Sequence, residues 1–446
     1  MKRFFETLKN IWTIEDLRVR IINTLGLLLI YRLGSYVVLP GVDSAALEVA
    51  NAGNTGGIAG LLDLFAGGAF SRASIFALGI MPYISASIVV QLLGIAIPYF
   101  QKLQKEGESG RRKINQITRM LTIVIVAFQA PGYIASQVPE LTGAGAIVRP
   151  DDLFWWISTV IILITGTMFV MWLGERITEK GLGNGISLII MIGIIANLPF
   201  AFVAEFASRI EGGGLVILLL ELVILLLVII ATILLVQGTR RVPVQFAKRV
   251  VGNKQYGGVR QYIPLKVNAA GVMPIIFAQA IMFIPITLAG FADSDSLTGI
   301  TAALSDYTGF WYNLIFAIMI IAFTYFYTAV TVNPNQMAED MKKNGGFIPG
   351  VKPGKRTADF LDNVLSRITL PGSIFLAIVA ILPAFAAQFG VNGQFAQFYG
   401  GTSLLIMVGV ILDTLQQIES HLLMRHYDGL MKTGKIKGRS SINMAG

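Results

Sequence analysis

A short apolar stretch followed directly by a long charge-free one is the feature that most constrains this chain. The first, Gly56–Phe70, is broken by Asp63 and by several glycines, and it is shorter than the ~20 residues that a helix needs to cross a hydrocarbon core. Arg72 follows, and Ala73–Phe100 then contains no charged residue and is long enough to span. Pro82 lies inside this second stretch and is expected to kink it. We therefore predict a half-inserted helix beside a kinked spanning helix.

Half-spanning backbone at membrane depth is stable only where protein or a water-filled cavity covers it, because lipid cannot satisfy peptide hydrogen bonds. The pattern therefore indicates a channel or a transporter, or else a re-entrant loop that only fills a helix bundle. In the second stretch Ile80, Ile84 and Ile88 recur every four residues and share one face of a helix. Isoleucines on one face are compatible both with a pore lining and with ordinary packing, so the residues alone leave these alternatives open.

The composition places the whole chain in a membrane. Hydrophobic residues make up 54% of it and charged residues only 14%, against about 25% charged in soluble domains, and the mean hydropathy is +0.68. The chain has no cysteine, which excludes a disulfide framework, a thiol nucleophile and a cysteine metal site. The first apolar run spans fully and lacks a small-residue cleavage pattern, so it does not resemble a cleaved signal peptide.

Ten apolar stretches are predicted to span the membrane. They run over 21–39, 73–100, 120–139, 153–174, 185–204, 215–236, 268–291, 310–332, 369–389 and 402–422. The preceding segment, 1–20, has an apolar stripe at helical spacing with Lys and Arg opposite, which predicts a cytoplasmic interfacial helix on the membrane surface. The last two spans are separated only by the polar, glycine-containing sequence VNGQFAQFYGG at 391–401.

The distribution of positive charge predicts the topology. Of the 35 Lys and Arg residues, 31 fall in the two tails and in alternate loops, whereas the opposite loops hold only Arg149 and Arg209. The positive-inside rule then puts both termini and the long loops 238–267 and 333–368 in the cytoplasm. These loops show mixed turn and helix signals and are long for connectors, so they indicate either a docking surface or charges that only anchor topology. No soluble domain is predicted.

The chemistry of an enzyme is absent from the sequence. The two histidines, His421 and His426, do not form a zinc-binding HExxH pattern, and neither a GxSxG nucleophile motif nor a pair of intramembrane aspartates occurs. The sequence PGVKPGKRT resembles a phosphate loop but has Pro349 where that motif needs glycine, and GLGNGIS at 181–187 lies between two spans. No cofactor, metal or catalytic residue is therefore expected. Glu221, alone inside an apolar span, is expected to be protonated or paired with another chain.

Several motifs make the chain resemble the SecY family, the channel subunits of the bacterial Sec protein translocase. The most specific are SRASIFALGIMPYISASIVVQLL at 71–93 and MWLGERITEKGLGNGISLII at 171–190. Further matches are KEGESGRRKI at 105–114, IPLKVNAAGVMP at 263–274 and NPNQMAEDMKKNGGFIPG at 333–350. The resemblance covers nearly the whole chain.

The resemblance implies an all-α polytopic fold with ten transmembrane helices around a central hourglass pore. Two pseudo-symmetric halves are expected, 21–210 with helices 1–5 and 211–425 with helices 6–10, followed by a cytoplasmic tail at 426–446. A short re-entrant plug helix at about 57–70 is expected to close the pore. The implied function is a channel that passes unfolded secretory proteins and releases transmembrane segments sideways into the plasma membrane.

The resemblance also implies functional residues, each at a position that matches the family's pattern. The pore ring is expected to consist of Ile80, Ile84, Ile190, Ile276, Ala280 and Ile406. The plug is expected to include Gly57, Leu61, Leu62, Leu64, Phe65 and Phe70. The polar residues of a lateral gate are expected to be Ser85, Gln129 and Asn268. Cytoplasmic partners are expected to dock on Arg240, Arg241, Lys248, Arg249, Lys254, Lys352, Lys355 and Arg356, although the family usually has Arg where this chain has Lys352.

The partners that the resemblance implies are the small membrane subunits SecE and SecG, the SecA motor ATPase, the ribosome, signal peptides, unfolded preproteins and the lipid bilayer, with YidC and SecDF as further candidates. The implied location is the bacterial plasma (inner) membrane. A secondary transporter for a small solute is the alternative, because broken helices also occur in such folds. Its distinguishing feature would be a convergent set of charged or polar side chains at mid-membrane.

Overall fold

The structure is a computed structural model, and it describes residues 12, 14–43, 63–143, 152–211, 214–246, 249–251, 254–256, 260–289 and 308–432. Its helices are α1 (Glu15–Gly34), α2 (Met81–Ala96), α3 (Pro98–Lys105), α4 (Glu108–Gly143), α5 (Leu153–Lys180), α6 (Gly185–Glu211), α7 (Leu215–Gln237), α8 (Met273–Ala289), α9 (Phe310–Thr331), α10 (Pro334–Lys343), α11 (Lys355–Gln388), α12 (Gly393–Ala396) and α13 (Gly401–Lys432). Its strands are β1 (Thr239–Phe246), β2 (Arg249–Val251), β3 (Lys254–Tyr256), β4 (Arg260–Lys266) and β5 (Gly346–Phe347).

The number of membrane-crossing helices is consistent with the predicted ten. In the described part of the chain, 7 helices are long and apolar enough to cross, and the bent pair α2–α3 raises this to 8. The two remaining predicted spans correspond to α1, which has charged residues at both ends, and to α8, which is described over 17 residues. The chain is thus a multi-pass membrane protein.

Several helices begin where the side chain before the first turn can accept a hydrogen bond from the backbone. Asp152 accepts from the Phe154 amide at 3.0 Å before α5, and Asn184 accepts from the Ile186 amide at 3.1 Å before α6. Such caps satisfy amide groups that the helix itself leaves unpaired. The sequence chemistry at these positions therefore explains why the helices start there.

The stretch predicted as one kinked span, 73–100, is divided into three parts, which corrects the prediction. Residues 71–80 form turns, α2 begins only at Met81, and α3 leaves α2 at a bend of 103°. Pro82 therefore lies in the first turn of α2 rather than in a helix interior. A proline is well tolerated there, because amides of the first turn have no helical partner in any case.

The predicted boundary between an interfacial helix and the first span is also wrong. Glu15–Arg20 belongs to α1 and continues into the span without a break, and Leu17 is buried. No glycine or proline occurs between these segments to end the helix. Apart from Trp12 and Ile14, the rest of 1–14 lies outside the described residues.

The two long loops fold together into a small unit that contains β-strands, within a chain that is mostly helical as predicted. Strands β4, β1 and β5 form an antiparallel sheet in that order, with Val242 opposite Ile263, and β5 comes from the second loop. We call residues 239–266 and 334–365 the loop platform. Its own apolar core consists of Val242, Val244, Leu265, Met341, Ile348, Leu361 and Leu365. The strand pairing spans about a hundred residues of sequence, so local helix and turn signals could not indicate it.

Helix packing places α6 at the centre of the described structure. On one side α2 packs on α4, α4 on α5, and α5 on α1 and α6; on the other side α8 packs on α9 and α9 on α11. Helix α6 also packs on α7 and α13, so it joins the earlier helices to the later ones. The largest buried apolar cluster, which we call the central cluster, contains residues from both groups.

Candidate functional site

The five isoleucines predicted as a ring meet in the central cluster. Ile80 precedes α2, Ile84 lies in its first turn, Ile190 is in α6, Ile276 in α8 and Ile406 in α13. Ile80, Ile190 and Ile406 are each 4% exposed, and Ile84 and Ile276 are partly buried and pack against the cluster. Ala280 lies one turn beyond Ile276 on α8, but its side chain is outside the described residues. The structure therefore brings the described side chains of the predicted ring into one apolar cluster.

Two residues of the predicted plug reach the same cluster. Leu64 and Phe65 are buried within it, in a helical turn at 63–66. The helix predicted to continue to Phe70 instead gives way to turns after 66, because Gly67 and Gly68 adopt φ values of +67° and +84° that favour glycine. Phe70 packs in a second cluster with Tyr133. Gly57, Leu61 and Leu62 lie outside the described residues.

Side chains of α1 donate hydrogen bonds to two carbonyl groups of the turn at 66–67. The Arg32 guanidinium donates to the Gly67 carbonyl at 2.5 Å, and the buried Tyr31 hydroxyl donates to the Ala66 carbonyl at 3.3 Å. Arg32 therefore fixes the turn at 66–67, which lies in the segment predicted as the plug. Because the donor is charged, this hydrogen bond is expected to be stronger than one between neutral groups.

The plug turn also touches the backbone of α6. A Cβ atom built on Gly193 would lie 2.8 Å from the Phe65 carbonyl oxygen, and one on Gly67 would lie 2.8 Å from the Gly193 Cα atom. Only glycine allows two backbones to approach this closely. The seat of the plug is therefore built from backbone contact as well as from apolar side chains.

Asp63 stabilises the turns that follow it by accepting two backbone hydrogen bonds. Its Oδ1 atom accepts from the Ser71 amide at 2.8 Å, and its carbonyl accepts from the Gly68 amide at 2.9 Å. Burial raises the pKa of the Asp63 carboxyl above its ordinary value of 3.8, and the hydrogen bonds from Ser71 and the charge of Arg72 only partly oppose this. The buried position therefore favours the protonated carboxyl more than an exposed position would, as after displacement of the predicted plug.

This difference predicts a pH dependence of the seated plug. Its stabilisation is fully present below the ordinary pKa of Asp and is lost as the pH rises through the raised value. We expect the ion conductance of the channel without substrate to increase as the pH rises above the ordinary pKa of Asp, and Asp63→Asn to flatten this profile because Asn still accepts from Ser71 but does not titrate. Conductance across a planar bilayer measures both. An equal slope in the two proteins would contradict the assignment.

The predicted gate residues lie in two separate parts of the structure, two of them on the packed helices α2 and α4 and the third before α8. Ser85 on α2 donates to the Met81 carbonyl of its own helix at 3.2 Å, and Gln129 is half-buried on α4, which packs on α2. Asn268 is buried in the turns before α8, and its Oδ1 atom has no hydrogen-bond partner among the described residues. Within the described chain no hydrogen bond joins the three. The packing within the pairs α2–α4 and α8–α9 is extensive, and among the described residues no comparable packing occurs between the pairs.

The basic residues predicted for partner docking lie on or next to the loop platform. The exposed ones are Arg240, Arg241, Lys352, Lys355 and Arg356. Arg249 and Lys254 belong to β2 and β3 but their side chains are outside the described residues, as is the whole of Lys248. The Lys352 carbonyl accepts from the Thr357 hydroxyl at 2.9 Å, which fixes the loop before α11. The platform therefore presents positive charge on a rigid base.

Sequence reasoning missed the contacts of the GLGN turn at 181–184. The Leu182 amide donates to Thr24 of α1 at 3.0 Å, and the Gly183 amide donates to Gln417 of α13 at 2.9 Å. Gly183 has a φ of +73°, which glycine adopts without strain. The turn thus ties the first and the last described spans together. Its glycines signalled a special backbone shape, but nothing local could identify partners so distant in sequence.

The two alternatives expected for Glu221, protonation or a partner in another chain, are replaced by a partner within this chain. Glu221 accepts a hydrogen bond from Arg209, which also pairs with Glu205 at 2.7 Å. Arg209 lies in the last turn of α6 rather than in a loop, and its side chain is only 17% exposed. The partner was not visible in the sequence because it lies on a different helix.

Comparisons with known proteins agree with this geometry. A family model described as SecY matches residues 74–415. The protein translocase subunit SecY of Mycobacterium bovis is 43% identical over 433 residues, which cover 94% of this chain and 97% of that relative. A solved protein-conducting channel matches with a TM-score of 0.61 at 18% identity, covering 90% of this chain and 92% of its own. Canine Sec61 in a ribosome–channel complex matches with a TM-score of 0.57 at 17% identity and the same coverage.

Proposed function

Because this chain belongs to the SecY family, we propose that it is the subunit of a protein translocase that conducts unfolded secretory proteins through a central pore and releases transmembrane segments sideways into lipid. The observation that carries the proposal is the convergence of Ile80, Ile84, Ile190, Ile276 and Ile406 around the seated Leu64 and Phe65. We assign the pore ring to these isoleucines and to Ala280, and the plug to about 57–70. The halves of the channel are then 21–210 and 211–425.

An aliphatic ring suits a channel whose substrates share no sequence. Branched apolar side chains make no directional bonds, so they surround a passing polypeptide without retaining it. A narrow apolar constriction also loses its water when it is empty, which blocks ions. The plug residues Leu64 and Phe65 add apolar side chains to the same cluster. Both the ring and the plug therefore exclude water from the closed pore.

Sideways release needs a seam that can part. We place it between the pairs α2–α4 and α8–α9, where Ser85, Gln129 and Asn268 lie. Hydrogen bonds inside membranes average only ~0.6 kcal/mol, so an apolar signal helix can replace the few polar contacts of such a seam. The Oδ1 atom of Asn268 supports this assignment, because it is buried, has no partner among the described residues and can accept a new hydrogen bond.

The loop platform is proposed as the cytoplasmic docking surface for the ribosome and for the SecA motor ATPase. Its exposed Arg240, Arg241, Lys352, Lys355 and Arg356 support this role, since a basic surface attracts ribosomal RNA and acidic protein faces. Both termini are then cytoplasmic and the membrane is the bacterial inner membrane. SecE and SecG are the proposed membrane partners, with YidC and SecDF as further contacts.

Site-specific crosslinking tests the conducting role directly, because the chain has no cysteine of its own. A single cysteine is placed at Ile84, at Ile276 or at the lipid-exposed Leu226, and a secretory chain with one cysteine is stalled in transit. We expect disulfides with the stalled chain at Ile84 and Ile276. Gel mobility under non-reducing conditions measures them.

Leu226 is the matched control, since it is a branched aliphatic residue of a span but is 57% exposed on α7. No disulfide is expected there. If the stalled chain is engaged but forms no disulfide at either ring position, its path does not pass the ring and the proposed function is wrong.

A further inference from the structure

A buried cluster of charged groups lies where α6 ends and α7 begins. The Arg209 guanidinium pairs with Glu205 of α6 at 2.7 Å and with Glu221 of α7, and it donates to the Gly390 carbonyl at 2.8 Å. Glu205 is fully buried, and its second oxygen accepts from the Asn392 amide at 2.7 Å. Three separate parts of the chain therefore meet on one guanidinium.

The third of these parts leads directly into the pore region. Gly390 and Asn392 belong to the connection between α11 and α13, in which Phe395, Ala396 and Tyr399 are buried in the central cluster. Ile406 follows one and a half turns into α13. The charged cluster thus fixes one end of a segment whose other side covers the ring and the plug.

The cluster depends on its arginine. Two carboxylates and one guanidinium carry a formal net charge of −1, and removing the cation would leave two buried carboxylates without a counter-charge. Such a loss is far more damaging than exchanging a whole ion pair for apolar groups. Lysine cannot replace the guanidinium fully, because it lacks the planar fork that reaches several acceptors at once.

We propose that Arg209 is a positioning residue of the channel, which locks the connection at 389–399 against α6 and α7 and thereby holds the pore wall closed. The role of this connection as a pore wall rests on the proposed function. The fixed position of the connection is a property of the protein without substrate. Arg209 acts through Gly390, Asn392 and the two glutamates and contacts no translocating chain.

The test measures how often the locked segment opens. A single cysteine replaces Ala396, which is 0% exposed, in the full chain within its membrane complex, and a charged methanethiosulfonate reagent is added. We expect modification to be about tenfold or more faster in Arg209→Met than in the parent, with a smaller increase in Arg209→Lys. Replacing Glu221 as well, in Arg209→Met/Glu221→Leu, is expected to recover part of the protection.

Two controls separate the lock from general loosening. A cysteine at Ala358, 4% exposed at the opposite end of α11, is expected to react at the same rate with or without Arg209. Arg119→Met removes a more exposed ion pair, that with Glu175 between α4 and α5, and is expected to change modification at Ala396 less than about twofold. Arg209→Lys, which keeps the charge but loses the fork, serves if Arg209→Met does not accumulate.

An unchanged rate at Ala396 in Arg209→Met, or in Arg209→Lys where that variant is used, overturns the proposal. An equal increase at Ala358 also overturns it, because the arginine would then support the fold in general. The measurement needs no translocating chain, so its result stands apart from the crosslinking at the ring. A missing crosslink with a protected Ala396 overturns the conducting path and leaves the lock in place.

Discussion

Replacing Ile190 or Ile406 by serine is expected to raise the ion conductance of the channel without substrate at least about tenfold. This ratio corresponds to a loss of about 1.4 kcal/mol in the free energy that favours the closed state over the conducting state. Both side chains are 4% exposed in the central cluster. Serine removes most of the apolar volume and adds a hydroxyl that binds water, so the constriction no longer dries. The substitutions are expected to change the conductance and not the fold, because other contacts hold the helices around the ring.

Planar-bilayer recordings of the reconstituted complex measure this conductance. Leu226→Ser is the control, since it makes the same exchange at a lipid-exposed position of α7 and is expected to leave the conductance unchanged. The ring assignment is wrong if the serine variants at Ile190 and Ile406 insert normally and remain as tight as the parent.

The second large effect is expected at Gly166, in the middle of α5. A Cβ atom there would lie 2.0 Å from the Ile75 carbonyl oxygen and 3.3 Å from the Phe76 ring. Alanine would normally gain about 1 kcal/mol over glycine in a helix, but here it would push away the backbone of the turns before Ile80. We expect Gly166→Ala to lower the free energy of unfolding by about 2–3 kcal/mol, as overpacking does, and to make the idle channel leak.

Gly26→Ala is the matched control, because Gly26 is also inside a spanning helix but a Cβ atom there would meet nothing within 4 Å. It is expected to be neutral or stabilising by up to about 1 kcal/mol. Denaturant unfolding in detergent compares the two variants. Equal stability of Gly166→Ala and Gly26→Ala would mean that the turns before α2 yield without strain, and the close approach would then have no structural role.

Local sequence signals predicted helix boundaries correctly where the polarity of the residues at the boundary determines it. Helices α5, α7 and α9 begin within a residue of the predicted spans, because the transition from polar to apolar residues sets the boundary. The break at 391–401 between the last two spans was likewise predicted from its polar residues and glycines. The kink assigned to Pro82 failed, because the same proline starts a helix or bends one depending on whether the preceding residues can continue it, and here they pack as turns against α5.

The site was predictable only in part. Family resemblance pointed to the ring isoleucines, but residue patterns could place no more than Ile80 and Ile84 on a common face. Arg209, the partner of Glu221, lies on another helix. Arg209 also donates to the carbonyl of Gly390, which is 181 residues away from it in the sequence. The loop platform was missed for the same reason, since β5 joins β1 across the whole of α8 and α9.

Three properties were predictable from the residues alone: that this is a membrane protein, roughly which segments cross the membrane, and where the positive charge lies. These properties follow from transfer free energies that each residue carries wherever it is placed. The tertiary structure alone decided which isoleucines meet, which carbonyls of the plug are held by Arg32 and Tyr31, and which carboxylates share Arg209. Those contacts depend on the relative positions of helices, and that arrangement is set by the packing of all of them together.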